Sequence, residues 1–256
     1  MSAAASIGLA LGMIWFERRR AEPDGSAGVD ALPADARAAL DGLWSRHGIA
    51  FEIQGAKSGD GGNVHFEAAY PEDVATVARW LFEEWSKYPD CWFAVARVEK
   101  VVFCRSLRLE GEFVGGFVDS GALFLDVATQ DEAHCRRRIH HEFFHVFDGH
   151  DDGSLGEDAA WTALNPPGFR YGDGGLTRVS DAAAGTLDSA STGFFTGYAT
   201  SALSEDKAEL FAWAMRSPEL VRPLAARDPF LAAKWDRLGA MLRAPCADAA
   251  SPFPER

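Results

Sequence analysis

From residue 33 onward the apolar residues fall into two spacings, one near 3.6 residues and one near 2. "PADARAALDGLWSRHG" reads as a helix opened by Pro33 and closed by Gly48, since proline suits a first helical turn and glycine the residue that ends one. "IAFEIQG" and "VHFEAAY" alternate as strands, and the glycine-rich "GDGGN" turns the chain between them. In "PEDVATVARWLFEEWSKYP", Val74, Val77, Trp80, Leu81 and Trp85 recur at helical spacing and form a candidate core face. Four short strands are expected over 92–127: "WFAVARV", "KVVFCRSL", "EFVGGFV" and "GALFLDV", punctuated by Gly111, Gly115, Gly116 and Gly121. A helix follows over 131–148. The stretch 149–197 is rich in Gly, Asp, Ser and Pro, with one short helix at "GEDAAWTAL". An irregular segment of that length inside a domain is expected to serve as a lid or cleft wall. Two helices, "SEDKAELFAWAMRS" and "PFLAAKWDRLGAMLRA", end the chain. This order predicts an α+β fold in a single domain, a small sheet followed by a mostly helical C-terminal half.

Composition narrows the classes of function. Of 256 residues, 47% are hydrophobic and 25% charged, the range of a globular chain. The net charge of −13 argues against a nucleic-acid partner, which calls for a basic footprint. Cys91, Cys104, Cys135 and Cys246 form no CxxC pair. Cys91 and Cys104 are expected to be small buried hydrophobes, with no disulfide framework and a reducing compartment. The N-terminal run "SAAASIGLALGMIWF" is shorter than the roughly twenty residues that span a bilayer, and its positive charges, "ERRR", come after it. It reads either as a short membrane anchor, with the body of the protein cytoplasmic, or as a start with no membrane role. The expected division is 1–31 for this segment and its linker, and 32–256 for the globular domain.

The chemistry gathers in "IHHEFFHVFDGH", where His141, Glu142 and His145 form HExxH. On a helix, positions i and i+4 share a face, so both imidazoles can reach one ion. Zinc accepts neutral imidazole nitrogen and tolerates the geometry such a pair imposes. Glu142 lies about 100° around the helix, where a general base can reach a metal-bound water without being a ligand. Phe143 and Phe144 would anchor the opposite face. The competing reading is a buried helix whose histidines bond to backbone carbonyls. His140 is one residue off the shared face, and His150 is expected beyond a helix end at Gly149.

A catalytic zinc takes three protein ligands. A third histidine six residues after His145 is ruled out, because position 151 is Asp. A glutamate from a later helix is the other route. "YATSALSEDKAELFAWAM" offers Ser204 as a helix N-cap, with Glu205 and Glu209 at i, i+4 on one face. One carboxylate could bind metal while the other holds a ligand histidine in the right tautomer. The acidic loop "DGHDDGSLGED" lacks the closing glutamate of a calcium loop, since Ala159 stands in its place.

HExxH, then Tyr198, then Glu205 seven residues on, then Ala208-Glu209, resembles the gluzincin peptidases of the lethal-factor and Pro-Pro endopeptidase type. It is more similar still to a group of bacterial zinc-binding metallopeptidases, as are the stretches "ALNPPGFRYG" and "GFFTGYATSALSEDKAELFA". The resemblance covers roughly 95–245. It implies a zincin-like single domain with a small mixed sheet beside a long active-site helix. It further implies one zinc ion on His141, His145 and Glu205, with Glu142 as base and Tyr198 stabilising the oxyanion; Tyr171 is the second candidate donor. The implied activity is hydrolysis of peptide or protein substrates by a zinc-bound water that Glu142 activates. The resemblance also suggests a substrate role for the strand before the active-site helix, "GALFLDV", whose edge would pair with an extended peptide. The alternative from another class is a catalytically inactive, zinc-stabilised binding or scaffold protein.

Overall fold

Strand β3 (Lys100–Leu109) organises the sheet. It is long enough to serve two partner sets, and Ser106, at φ 52°, breaks it into two halves. In a computed structural model that describes residues 28–53, 63–128, 131–151, 157–181, 183–188, 190–246 and 251–255, the first half of β3 lies between two parallel neighbours. These are β1 (Ala50–Ile53) and β6 (Ala122–Asp126). The second half pairs antiparallel with β2 (Val64–Glu67) and with β4 (Glu112–Phe113). Strand β5 (Gly116–Asp119) adds antiparallel to β6, so the main path runs β1-β3-β6-β5 and the sheet is mixed. Val101, Val102, Phe103 and Leu123 are buried, as expected of strands covered on both faces.

Helices α1 (Ala34–His47) and α2 (Pro71–Trp85) start where the sequence places them, and α2 stops at Trp85, short of the Pro89 that ends the expected stretch. Gly48 closes α1 in the left-handed region at φ 72°, which only glycine adopts without cost. Val74, Val77, Leu81 and Trp85 are buried, and Trp80 packs partly against the core. Helix α4 (Glu132–Asp151) packs against β5 and β6 and against α2. It runs through Gly149 to Asp151, beyond the end expected for it, and its side chains from 150 onward lie outside the described residues. Phe143, Phe144 and Phe147 of α4 are fully buried, with the Phe143 ring 4.5 Å from Tyr88 and 5.6 Å from Trp85. Helix α5 (Ala159–Thr162) is a single turn. Helices α6 (Leu203–Arg216), α7 (Pro218–Arg227) and α8 (Pro229–Arg243) complete the helical half, and α6 packs along α4. The fold is the α+β arrangement expected, a small mixed sheet beside a long helix.

Four expectations need correction. "WFAVARV" is not a strand: Asp90–Ala96 forms helix α3, with Trp92, Phe93 and Ala96 buried on one side. Extended Pro89 precedes it, and Arg97, at φ 51°, ends it. Between the two C-terminal helices expected lies a further one, α7, which Pro218 opens from the first turn, where its missing N–H costs nothing. Strand β6 has no open edge, since β3 and β5 fill both sides; among the described residues the path ends at β1 and at β5, and β5 is the edge beside α4. Cys91 and Cys246 are joined in a disulfide that ties α3 to the segment after α8, while Cys104 and Cys135 are buried thiols outside it. That bond removes the cysteine argument for a reducing compartment. Among the described residues no helix is long and apolar enough to cross a membrane; the N-terminal apolar run lies outside them.

The disulfide closes a loop of 155 residues and should stabilise the fold by about 2–5 kcal/mol, chiefly by restricting the unfolded chain. Alkylation of the unfolded, unreduced protein should modify only Cys104 and Cys135, and a reductant should lower the thermal midpoint. Four modified thiols would contradict the pairing.

Candidate metal centre

His141 and His145 stand one turn apart on the face of α4 that meets α6, with their Nε2 atoms 3.0 Å apart. Glu205, in the first turn of α6, brings Oε2 to 3.0 Å from His141 Nε2 and 3.4 Å from His145 Nε2. One ligand atom from each of the three residues lies within 4.8 Å of the others. One turn further along α6, Glu209 Oε1 lies 3.1 Å from His141 Nδ1. A carboxylate can only accept, so Nδ1 carries a hydrogen, which leaves Nε2 as the nitrogen able to offer a lone pair to a cation. Two imidazole nitrogens and a carboxylate oxygen therefore converge in a nearly buried place, where a single proton cannot satisfy all three. A cation can, and two histidines with one carboxylate are a donor set suited to zinc with a position left open. Burial opposes charge on His141, but Glu205 and Glu209 outweigh it and raise its pKa well above the usual imidazole range. Burial likewise raises Glu205, and the two imidazoles reverse this and hold its carboxyl low. The surroundings favour positive charge at this point.

Glu142 follows His141 on α4 and is 6% exposed. Its side chain lies against β5 at Gly116, where an added Cβ would come within 2.8 Å of Cγ and of Oε1. Only glycine leaves room there for the carboxyl. Burial raises the pKa of Glu142; His141 and His145 pull it back and Glu205 pushes it up again. A carboxyl so placed keeps its proton to higher pH than an exposed one, the direction a proton-transfer group needs. Tyr198 opens a 3-10 turn, Tyr198–Thr200, with its ring 6.1 Å from that of His141. Burial, then the charges of Glu205, Glu142 and Glu209, push its pKa well above the ordinary range, so the hydroxyl remains a donor. Gly175 permits this contact: a Cβ there would lie 2.6 Å from Tyr198 Oη and 2.8 Å from Glu205 Oε1. All six groups border a cleft of about 800 Å³, walled by β5 on one side and by Leu176, Val179 and Leu187 on the other.

A scan against protein-family models gives no match, and a search of curated proteins gives none. Among solved structures the chain is similar to the crystal structure of a "putative zinc-binding metallo-peptidase" from Bacteroides caccae ATCC 43185. The identity is 17%, the alignment covers 85% of this chain and 87% of that one, and the TM-score is 0.48. What the residues of this chain can do is carried by the geometry of their own side chains.

The structure thus brings His141, His145, Glu205, Glu142, Tyr198 and Glu209 together. It takes other candidates elsewhere. His140 turns into the core, where Glu84 Oε2 lies 2.9 Å from Nε2 and the Tyr88 hydroxyl meets Nδ1. Tyr171 donates its hydroxyl to Asp206 Oδ2 at 2.7 Å and does not border the cleft, so it is no second oxyanion donor. Ser204 is not the N-cap of α6; Ala202 holds that position, and Ser204 lies in the first turn at the cleft wall. Thr196 was missed. Its hydroxyl donates to Glu209 Oε2 at 2.8 Å and accepts from Ala199 N–H at 3.1 Å, coupling the His141–Glu209 pair to the turn that carries Tyr198. A lone threonine two residues before Tyr198 has no periodic signal to mark it.

Thr196→Val should leave Glu209 short of a donor and Ala199 N–H short of an acceptor, both buried. Urea unfolding of the metal-free protein should show a loss of about 1–3 kcal/mol. An unchanged midpoint would contradict this role for Thr196.

Proposed function

We propose that this chain is a zinc-dependent peptidase. The observation that carries the reading is the convergence of the His141, His145 and Glu205 donor atoms beside Glu142 and the Tyr198 hydroxyl in one cleft. A zinc ion held by the three ligands would supply Lewis-acid chemistry, acidifying water and polarising a carbonyl. Glu142 takes a proton from the attacking water and returns it to the leaving amine. Tyr198 donates a hydrogen bond to the carbonyl oxygen as that oxygen gains negative charge, a contribution worth about 10²–10³ in kcat for a single donor. Glu209, itself held by Thr196, keeps His141 in the tautomer that presents Nε2 to the metal. The substrate is a peptide or protein segment, extended along the open edge of β5 (Gly116–Asp119), where backbone hydrogen bonds can add a strand.

The test pairs metal content with cleavage of a pooled peptide library. Glu142→Gln should retain stoichiometric zinc and lose activity by about 10²–10⁴, the span of a general base. Glu205→Ala should lose the zinc. Undiminished zinc in Glu205→Ala would remove it as a ligand and promote Glu209. Zinc bound by the unmutated chain with no peptide cleaved would favour the zinc-stabilised scaffold instead.

A further inference from the structure

The chain holds 38 acidic residues against 25 basic ones, so an arginine near its centre has carboxylates available. Arg136 on α4 takes three of them, Glu83, Glu84 and Glu132, and Arg178 at the cleft pairs with Asp181. Three arginines bordering the same cleft have no ion pair with any described carboxylate, Arg137, Arg138 and Arg216, and of these Arg138 is buried and donates to the Asp126 carbonyl at 2.7 Å. Arg137 precedes His141 by one turn, so residues 137, 141 and 145 form one row on α4. Its guanidinium lies 4.4 Å from the centroid of the Trp213 ring, and its polar contact is His134 Nδ1 at 3.4 Å. The facing row on α6 is Glu205, Glu209 and Trp213 at successive i, i+4 positions, with Arg216 three residues beyond. Arg216 Nε is buried and has no hydrogen-bond partner among the described residues. The two rows thus pass from a metal centre rich in carboxylates to a wall with arginine on both helices.

Neither arginine is needed to complete a neighbour. The charge of Arg137 favours ionised Glu209, but the Glu209 oxygens already receive His141 and Thr196. Two acidic residues of this flank are engaged elsewhere, Asp131 with the His134 N–H and Asp181 with Arg178. Lying over the Trp213 ring holds the Arg137 guanidinium in place, and a guanidinium so held suits two-point binding of a carboxylate. Arg137, Trp213 and Arg216 are half-buried, so such a contact is partly shielded and stronger than on a fully open surface.

We propose that Arg137 and Arg216 form a carboxylate-binding subsite beside the metal centre and select peptides with a negative group close to the scissile bond. The proposal deepens the peptidase reading and rests on it. The group is either an acidic side chain, giving internal cleavage, or the free C-terminal carboxylate, giving removal of terminal residues.

The test measures binding, so that it does not depend on turnover. The zinc-loaded Glu142→Gln chain is equilibrated with a pooled peptide library in which each Asp- or Glu-containing sequence has an Asn or Gln twin. One arm carries free C-termini and the other amidated ones, and bound peptides are quantified by mass spectrometry. We expect roughly ten-fold enrichment of one carboxylate-bearing class over its uncharged twins. Enrichment of acidic sequences in both arms identifies the side chain; enrichment confined to free termini identifies the terminus. Arg137→Gln and Arg216→Gln, each added to Glu142→Gln, should abolish the enrichment while zinc content and the binding of uncharged peptides are unchanged. Equal capture of twins, no capture of any peptide, or equal loss of all peptides in both arginine variants overturns the subsite. Enrichment as expected, with no cleavage by the chain that retains Glu142, would overturn the peptidase reading and leave the subsite standing.

Discussion

Helices α4 and α6 meet along a seam that is polar where most helix seams are apolar. His141 and His145 face Glu205 and Glu209 across it, all largely removed from water. Buried imidazoles and carboxylates cost several kcal/mol each unless they are partnered, so the seam holds together only if every lone pair finds a hydrogen or a cation. The pairings inside it leave three lone pairs converging on one point. The aromatic core under α4, the glycines at 116 and 175, and the Thr196 hydroxyl all serve to hold that point in place.

A second buried set of charges fixes the same two helices further along. Lys207 of α6 binds Asp148 of α4 at 2.9 Å and Asp158, which caps α5, at 3.1 Å. Asp206 accepts from Trp161 and Tyr171 and pairs with Lys234 of α8 at 2.7 Å. Consecutive residues of α6 thus alternate between the metal seam and this network: Glu205 faces one, Asp206 and Lys207 the other. Networks of this kind define register more than they add stability, because desolvation offsets most of the attraction. Here the register is what sets Glu205 opposite the two histidines.

The clustering of His141, His145, Glu205 and Glu209 was legible in the chain because helical geometry converts spacing into direction. His141 and His145, then Glu205 and Glu209, are each four apart, so each pair shares a face, and the Tyr198–Glu205 interval supplied the rest. The helices with clear caps, α1 and α2, were legible for the same reason. What was hidden depends on contacts between distant residues. "WFAVARV" is apolar at nearly every position and has no period to distinguish strand from helix; tertiary burial of Trp92, Phe93 and Ala96 decides it. The Cys91–Cys246 bond spans 155 residues with no spacing motif. Alternation marked β5 and β6 as strands but says nothing of strand order, so the open edge was assigned to the wrong one. Gly116 looked like punctuation, yet its missing side chain makes space for Glu142.

The central claim is that one cation completes the seam between α4 and α6, and anomalous diffraction at the zinc edge from crystals of the zinc-loaded protein tests it most directly. The account predicts a single peak among the described residues, about 2.0–2.2 Å from His141 Nε2, His145 Nε2 and a Glu205 carboxylate oxygen, with Glu209 still on His141 Nδ1. A peak held by Glu209 in place of Glu205, or no peak at these residues in protein shown to contain zinc, would contradict it.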